Sequence, residues 1–324
     1  MKAIQFSKVG GPEVLQLIDI TLPEPGVGEV QLRHTAIGLN FADVYYRIGL
    51  YPTASMPSGL GNEAAGVITK LGKGVKGFKI GDRVAYGSGS LGAYQEARNF
   101  SVNRLIKLPK AISDEMAAAM MLKGMTVRYL LRATYKAKRG DVVLFHAAAG
   151  GVGSIFGQWA KALGVKAIGT VGTVEKMKLA KANGYAHVIN SSTEDVVARV
   201  KEITKGKGVV VVYDGIGKDT LDISLNCLQP RGLLVSFGNA SGPVTGFNLG
   251  QLAAKGSLYV TRPTLGSYIL SDKDFQQTAR DVLKIVASGK VKIKINQRYA
   301  LADAAKAHED LQTRRTTGAT VLLP

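Results

Sequence analysis

Cysteine is almost absent from this chain of 324 residues: Cys227 stands alone. A single thiol excludes an intrachain disulfide, and it excludes a structural zinc site built from several cysteines. Its setting, Leu225-Asn226-Cys227-Leu228, is apolar, so Cys227 reads as a buried inert thiol rather than a nucleophile. Also missing is any run of about 18 apolar residues, so no segment is expected to cross a membrane. The opening Met1-Lys2-Ala3-Ile4-Gln5-Phe6 goes directly into a strand-like alternation. It lacks the basic start, apolar stretch and small-residue cleavage site of a secretory signal, and a cytoplasmic location is expected. Histidine is scarce as well. His34, His146, His187 and His308 form no motif, and no Ser-His-Asp arrangement follows from their spacing. His146 ends an apolar strand and reads as structural, whereas His308, beside Glu309 and Asp310, reads as solvent-facing.

What is present is enough apolar matter for a sizeable core, 46% of residues, in a length that usually makes about two domains. The net charge is +18, and residues 125–262 hold most of it, with 18 basic and 8 acidic side chains. Such an excess favours an anionic ligand and would permit nucleic acid. The positive residues are scattered, however, and the densest group is only Arg132, Lys136, Lys138 and Arg139. A solvated basic face is therefore favoured over a nucleic-acid surface.

Two textures divide the chain. Residues 1–110 are short strand-like pieces punctuated by Gly and Pro, as in a compact, irregular barrel-like domain. At Ser113 a helix cap precedes Ala117-Ala118-Ala119-Met120-Met121-Leu122, a helix-forming run. Thereafter strands at 142–146, 165–170, 188–189, 209–213, 233–237 and 258–260 alternate with helical segments. Repeated βα units predict a parallel, doubly wound sheet. A helix is expected over 272–287, and Ala319-Thr320-Val321-Leu322-Leu323 reads as a strand that packs back on the first domain.

The most informative stretch is His146-Ala147-Ala148-Ala149-Gly150-Gly151-Val152-Gly153. A continuous apolar strand precedes it. A helix follows, with Val152, Ile155, Phe156, Trp159, Ala160 and Leu163 on one face. Strand, glycine turn and helix in that order form the dinucleotide fingerprint: the backbone can approach a pyrophosphate at a helix N-terminus. Ala148 occupies the place of the first glycine. The second strand ends in Gly169-Thr170-Val171-Gly172-Thr173-Val174-Glu175-Lys176. NAD-binding versions usually place an acid at the end of this strand to hold the ribose 2′-hydroxyl. None ends it here. Small residues and Lys176 suit a 2′-phosphate instead, so NADPH is the expected cofactor.

Gly10-Gly11-Pro12-Glu13-Val14-Leu15, Ala36-Ile37-Gly38-Leu39-Asn40-Phe41, Gly49-Leu50-Tyr51-Pro52, Leu122-Lys123-Gly124-Met125-Thr126 and Val260-Thr261-Arg262-Pro263 carry a further signal. With the glycine turn, these stretches resemble the quinone oxidoreductases, or zeta-crystallin-like proteins, of the medium-chain dehydrogenase/reductase superfamily, the bacterial members above all. The resemblance runs essentially end to end. It implies an α/β chain with a GroES-like, mostly-β catalytic domain (1–124, completed by 263–324) and a Rossmann-like NADPH domain (125–262). The active site would lie in the cleft between them. A homodimer, paired edge to edge near Leu258–Val260, is implied too. Zinc-dependent relatives carry a cysteine ligand and a Gly-His-Glu motif where this chain has Asn40 and Gly61-Asn62-Glu63. Neutral amides are poor zinc ligands, so no metal is expected.

By the same resemblance, Asn40, Phe41, Tyr45 and Thr126 lie near the nicotinamide and its ribose. Ala149, Gly150, Gly151, Val152 and Gly153 hold the pyrophosphate, and Gly172, Thr173 and Lys176 surround the 2′-phosphate. Ser191 stands where bacterial relatives carry a Tyr, which leaves Lys176 more of the discrimination. Gly215, Ile216, Phe237, Gly238, Asn239, Ser241, Val260, Thr261 and Arg262 line the other side, and Arg314 reaches the phosphates. The implied reaction passes hydride from NADPH to a small quinone or another conjugated carbonyl. Asn40, Tyr45 and Tyr51 are the candidates for shaping that pocket and donating hydrogen bonds. The alternatives are an alkenal or enoyl reductase, and a nucleotide-binding protein with a crystallin-like, RNA-binding role.

Overall fold

The computed structural model describes all 324 residues, which form two compact units. One comprises Met1–Met125, Ile269–Ala287 and Ile293–Pro324, and the other Thr126–Tyr268 and Ser288–Lys292.

The first unit is mostly β. Its N-terminal part holds strands β1 (Lys2–Phe6), β2 (Gln16–Asp19), β3 (Glu29–Gly38), β4 (Ser58–Gly59), β5 (Ala64–Leu71), β6 (Arg83–Tyr86), β7 (Ala97–Ser101) and β8 (Ile106–Lys107). Helix α1 (Phe41–Arg47) follows β3 directly, and α2 (Asp114–Tyr129) carries the chain into the second unit. As expected, Ser113 caps α2, its hydroxyl accepting the Met116 N–H at 3.2 Å. β3 is the organising strand, because it pairs antiparallel with both β5 and β7. Alternation along β3 buries Val30, Leu32, His34 and Ala36 on one face, where Leu32 joins Phe6, Leu60 and Ile68 in the core.

The second unit is a six-stranded parallel sheet. Its strands are β9 (Val142–Phe145), β10 (Lys166–Val171), β11 (His187–Asn190), β12 (Val209–Asp214), β13 (Leu228–Ser236) and β14 (Tyr259–Thr261). The spatial order is β11-β10-β9-β12-β13-β14. This is the doubly wound order, reversing between β9 and β12, and such sheets bind ligands outside the carboxyl ends of their strands. Helices α3 (Gly151–Ala162), α4 (Val174–Ala182), α5 (Val196–Ile203), α6 (Leu221–Cys227), α7 (Gly250–Ala254) and α8 (Leu265–Tyr268) lie between or after the strands. Leu144, Ile168, Val212 and Leu234, from four neighbouring strands, are fully buried in one cluster with Cys227. Cys227 is thus the core thiol expected, and burial pushes its pKa up to about 12. β13 begins five residues earlier than the apolar run at Leu233 suggests. Pro230 and Arg231, the latter with φ of 59°, interrupt its register and hide the start.

Four elements complete the first unit after a return of the chain: α9 (Asp272–Ala287), β15 (Ile295–Ala300), α10 (Ala304–Gln312) and β16 (Ala319–Leu323). α9 has the bounds expected and buries Phe275, Thr278, Ala279, Val282 and Val286 at helical spacing. Gly124 of α2 makes room for it, since a Cβ there would lie 2.6 Å from a Val282 methyl. β16 inserts between β15 and β3, pairing Val321 with Gly38. The tail therefore does pack onto the first sheet, beside the residues that lead into Asn40.

Candidate functional site

In the second unit the glycine turn follows β9 as the fingerprint requires. Ala147 takes a left-handed φ of 59°, and the Ala148 N–H donates to the Thr170 carbonyl of β10 at 3.0 Å. Gly150 precedes the first turn of α3, and no side chain caps that helix. Its first N–H groups are thus left for an anion. Gly153 packs the helix onto the turn: a Cβ there would sit 2.5 Å from the Ala147 carbonyl oxygen. Alanine can replace the first glycine because the neighbouring strand compensates. A Cβ on Gly169 would come within 2.6 Å of the Ala148 methyl. The same glycine admits Tyr185, whose ring also fills the space beside Gly157 and whose hydroxyl donates to the Gly153 carbonyl at 2.9 Å. Tyr185 is a supporting residue that nothing in the local sequence announced.

β10 ends without an acid. Gly172 is open, the nearest atom to a Cβ there being the Ser192 hydroxyl at 3.6 Å. Thr173 caps α4 by accepting the Lys176 N–H at 3.3 Å. Glu175, the one nearby acid, turns back on its own N–H and the Thr173 hydroxyl, which hold its carboxyl below the usual range. Ser191 donates its hydroxyl to the Val171 carbonyl at 3.1 Å, so it braces the strand end and offers no aromatic wall.

At the ends of β12 and β13 the loops are tied by a buried chain of polar groups. The Ser224 hydroxyl donates to Asp214 Oδ2 at 2.7 Å, so its oxygen accepts from His146 Nε2 at 3.0 Å. His146 Nδ1 then accepts the Thr170 hydroxyl proton, also at 3.0 Å. Burial lowers the pKa of His146, in keeping with this neutral form. The arrangement is a tie rather than a nucleophile, because the serine proton is committed to the aspartate and not to the histidine. Asp214 Oδ1 meanwhile takes the N–H groups of Ile216 and Gly217 at 2.8 and 3.0 Å. The loop closes on Phe237 and Ser241: Gly215 lies against the Phe237 ring, and the Ser241 N–H and hydroxyl both donate to the Ile216 carbonyl. Gly238 and Asn239 continue from Phe237, and Gly238 must be small because a Cβ would meet the Gly215 carbonyl at 2.5 Å. Val260 and Thr261 lie on β14, followed by Arg262, whose guanidinium donates to the Pro263 carbonyl. The turns after β9, β10, β12, β13 and β14 share one edge of the parallel sheet. Thr126 lies within α2, nearly buried. Arg314 belongs to the first unit, just after α10, with a left-handed φ of 61°.

In the first unit Asn40 stands between β3 and α1, as the residue before the helix. Its N–H donates to Asp43 Oδ2 at 2.9 Å and its side-chain Nδ2 to Glu63 Oε2 at 2.8 Å. Glu63 is fully buried and pairs with Lys123 at 3.0 Å. α1 carries Phe41 and Tyr45, whose rings lie 5.9 Å apart, and Tyr51 meets Tyr45 edge-on at 5.2 Å. The Tyr51 N–H donates to the Tyr45 carbonyl, which holds the two candidate pocket tyrosines together. Behind Asn40 runs a second buried chain. Arg47 donates to His308 Nδ1 at 3.0 Å, so Nε2 carries the proton that meets the Tyr94 oxygen at 3.1 Å. Tyr94 in turn donates to Asp43 Oδ2 at 3.0 Å. Burial raises the Asp43 pKa from 3.8 to about 7, against the Asn40 N–H and Tyr94 hydroxyl that favour its ionised form. The solvent-facing reading of His308 is corrected here. The residue is wholly buried, and burial with the adjacent Arg47 depresses its pKa to about 3. Ala304, Ala307 and His308 form the inner stripe of α10, a spacing that would have revealed it.

Residues 26–110 match the family described as alcohol dehydrogenase GroES-like domain, and residues 151–285 that described as zinc-binding dehydrogenase. Over 323 residues the chain is 57% identical to the quinone oxidoreductase of Pseudomonas aeruginosa, covering 100% of this chain and 99% of that protein. The chain belongs to the quinone oxidoreductase family. A solved structure of the Escherichia coli quinone oxidoreductase, complexed with NADPH, matches with a TM-score of 0.98 at 53% identity over 100% of both chains. A 2-haloacrylate reductase from Burkholderia is 44% identical over 328 residues, 99% of this chain and 98% of that protein. The family resemblance and the α/β fold class, GroES-like and Rossmann-like, are both borne out.

The zinc named in one family description has no fitting donor set at the positions of the zinc-dependent relatives. Asn40 already points its amide nitrogen at Glu63, and Asn62 turns its own toward Asp43 at 3.5 Å. An amide nitrogen that donates a hydrogen bond cannot ligate a cation, and neither residue supplies a thiolate or imidazole.

Proposed function

We propose that this protein reduces small quinones with NADPH and without a metal. The full-length identity to quinone oxidoreductases carries the reading, and the acid-free end of β10 supports the choice of cofactor. When bound, NADPH supplies a hydride from C4 of its nicotinamide. The turn and the uncapped start of α3, together Ala149 to Gly153, take the pyrophosphate through backbone N–H groups. Gly172 leaves room for the 2′-phosphate, Lys176 answers its charge, and Thr173 and Ser191 shape its surroundings. Gly215, Ile216, Phe237, Gly238, Asn239 and Ser241 form the loops along the cofactor, with Val260, Thr261, Arg262 and Arg314 completing its contacts. Asn40, Phe41, Tyr45 and Thr126 position the nicotinamide end. Asn40 donates a hydrogen bond to the acceptor oxygen on which negative charge develops, and Tyr45 and Tyr51 wall the acceptor. The working form is a homodimer joined through β14, whose outer edge has no partner within the chain and exposes Tyr259 and Val260.

The likeness to a 2-haloacrylate reductase favours one second reading, hydride delivery to an activated carbon–carbon double bond. NADPH oxidation measured with 1,4-benzoquinone, 9,10-phenanthrenequinone, 2-chloroacrylate, an enal and an enoyl thioester separates the two. Turnover of the quinones alone supports the first reading. Turnover of the alkenes alone replaces it with the second, and tight NADPH binding without any acceptor sinks both.

A further inference from the structure

Glu63 is a fully buried carboxylate of the first unit, and nothing so far explains why it is there. Its oxygens collect three donors. Asn40 Nδ2 at 2.8 Å and Lys123 Nζ at 3.0 Å both reach Oε2, while the Leu122 N–H reaches Oε1 at 2.8 Å. Gly38 leaves room beside Glu63, since a Cβ there would lie 2.2 Å from the Ala118 carbonyl oxygen and 2.3 Å from Oε2. Stability gives no reason for the arrangement, because a buried ion pair can usually be replaced by apolar side chains of the same volume at little cost.

Orientation does give a reason. The two ends of an asparagine amide have nearly the same size, and only their partners decide which is the nitrogen. A carboxylate decides it completely, since the amide oxygen turned toward Glu63 would be repelled. Asp43 holds the backbone N–H of the same residue, so Asn40 is fixed at both its main chain and its amide. Glu63 uses one of the two Nδ2 hydrogens and leaves the other with a defined direction. We propose that Glu63, itself held by Lys123, is a positioning residue for the reduction: it orients the Asn40 amide so that its second N–H meets the acceptor oxygen. The effect is one of direction only, because a carboxylate on one N–H does not make the other a stronger donor. The inference rests on the reading of Asn40 as the donor to the acceptor.

The test is a cycle of variants of the full chain, assayed with NADPH and 9,10-phenanthrenequinone. E63M/K123M removes both charges at nearly constant volume. It should keep NADPH affinity within about twofold while kcat falls about tenfold and KM changes less. Adding N40A to that background should lower kcat no further than N40A alone, because the pair acts through Asn40. Glu63→Asp, too short to reach both Asn40 and Lys123, carries the same cycle should the double variant not fold. A wild-type kcat in the pair variant, or losses that multiply when N40A is added, would overturn the positioning role. Failure of the underlying reading looks different: N40A alone would then keep wild-type kcat, and the proposal would fall with it.

Discussion

The alanine in the phosphate turn and the glycine opposite it should behave as one unit. In Gly169→Ala the new methyl would lie 2.6 Å from the Ala148 methyl and 2.7 Å from the Tyr185 ring. Ordinary carbon contacts are about 3.5–4.0 Å, so both overlaps approach 1 Å. Neither neighbour can retreat without giving up a hydrogen bond. Ala148 is fixed by its N–H on the Thr170 carbonyl, and Tyr185 by its hydroxyl on Gly153. Overpacking of this kind costs about 3 kcal/mol. Ala148→Gly alone should cost about 1 kcal/mol, from chain entropy and a lost buried methyl. Together they should cost less than the sum by about 1–2 kcal/mol, since one of the two overlaps disappears. Urea denaturation of the two single variants and the double variant without NADPH measures the coupling. Titration with NADPH should show Gly169→Ala binding about tenfold more weakly, because Tyr185 is pushed off Gly153. Additivity within about 0.5 kcal/mol would refute the argument.

Three further outcomes are expected. Tyr185→Phe removes the bond to the Gly153 carbonyl and should cost about 1 kcal/mol of stability, visible as a lower urea midpoint at unchanged slope. Lys176→Ala should weaken NADPH by about tenfold more than NADH in parallel titrations, and equal losses would show that Lys176 does not read the 2′-phosphate. His308, with a pKa lowered from 6.5 to about 3, resists a proton that the unfolded chain accepts. Its contribution to stability is complete above pH 6.5 and is lost as pH falls toward 3. His308→Gln should therefore flatten the dependence of unfolding free energy on pH by about 1.4 kcal/mol per unit between these limits. An unchanged slope in urea titrations across that range would contradict the buried, neutral histidine.

Local signals made the cofactor unit legible. The glycine turn, the apolar β9 and the one-sided α3 each lie within a few residues and need no partner to be recognised. α9 and the last strand were readable for the same reason, through spacing alone. The network around Asn40 was not. Glu63 and Lys123 are 60 residues apart, and Arg47 and His308 are 261 apart, so no periodicity links them. Asp214 and Ser224 escaped notice because neither carries a motif, and only the fold brings them to His146. Tyr185 shows the same limit from the other side: Gly157 and Gly169 were visible as glycines, but the ring that needs both was not.

The insertion of β16 beside β3 has a consequence for how the chain matures. Synthesis runs from the N-terminus, so β3 and Asn40 emerge early and wait for almost the whole remaining chain before Val321 can pair with Gly38. The six strands of the second unit are all in hand well before then, and domains tend to fold as units while the chain is still growing. The cofactor-binding half can thus be formed on the ribosome while the sheet that seats Asn40 is still two strands short, since β15 joins it only through β16. In such an intermediate NADPH affinity would precede reductase activity, and the final five-residue strand would act as the switch between them.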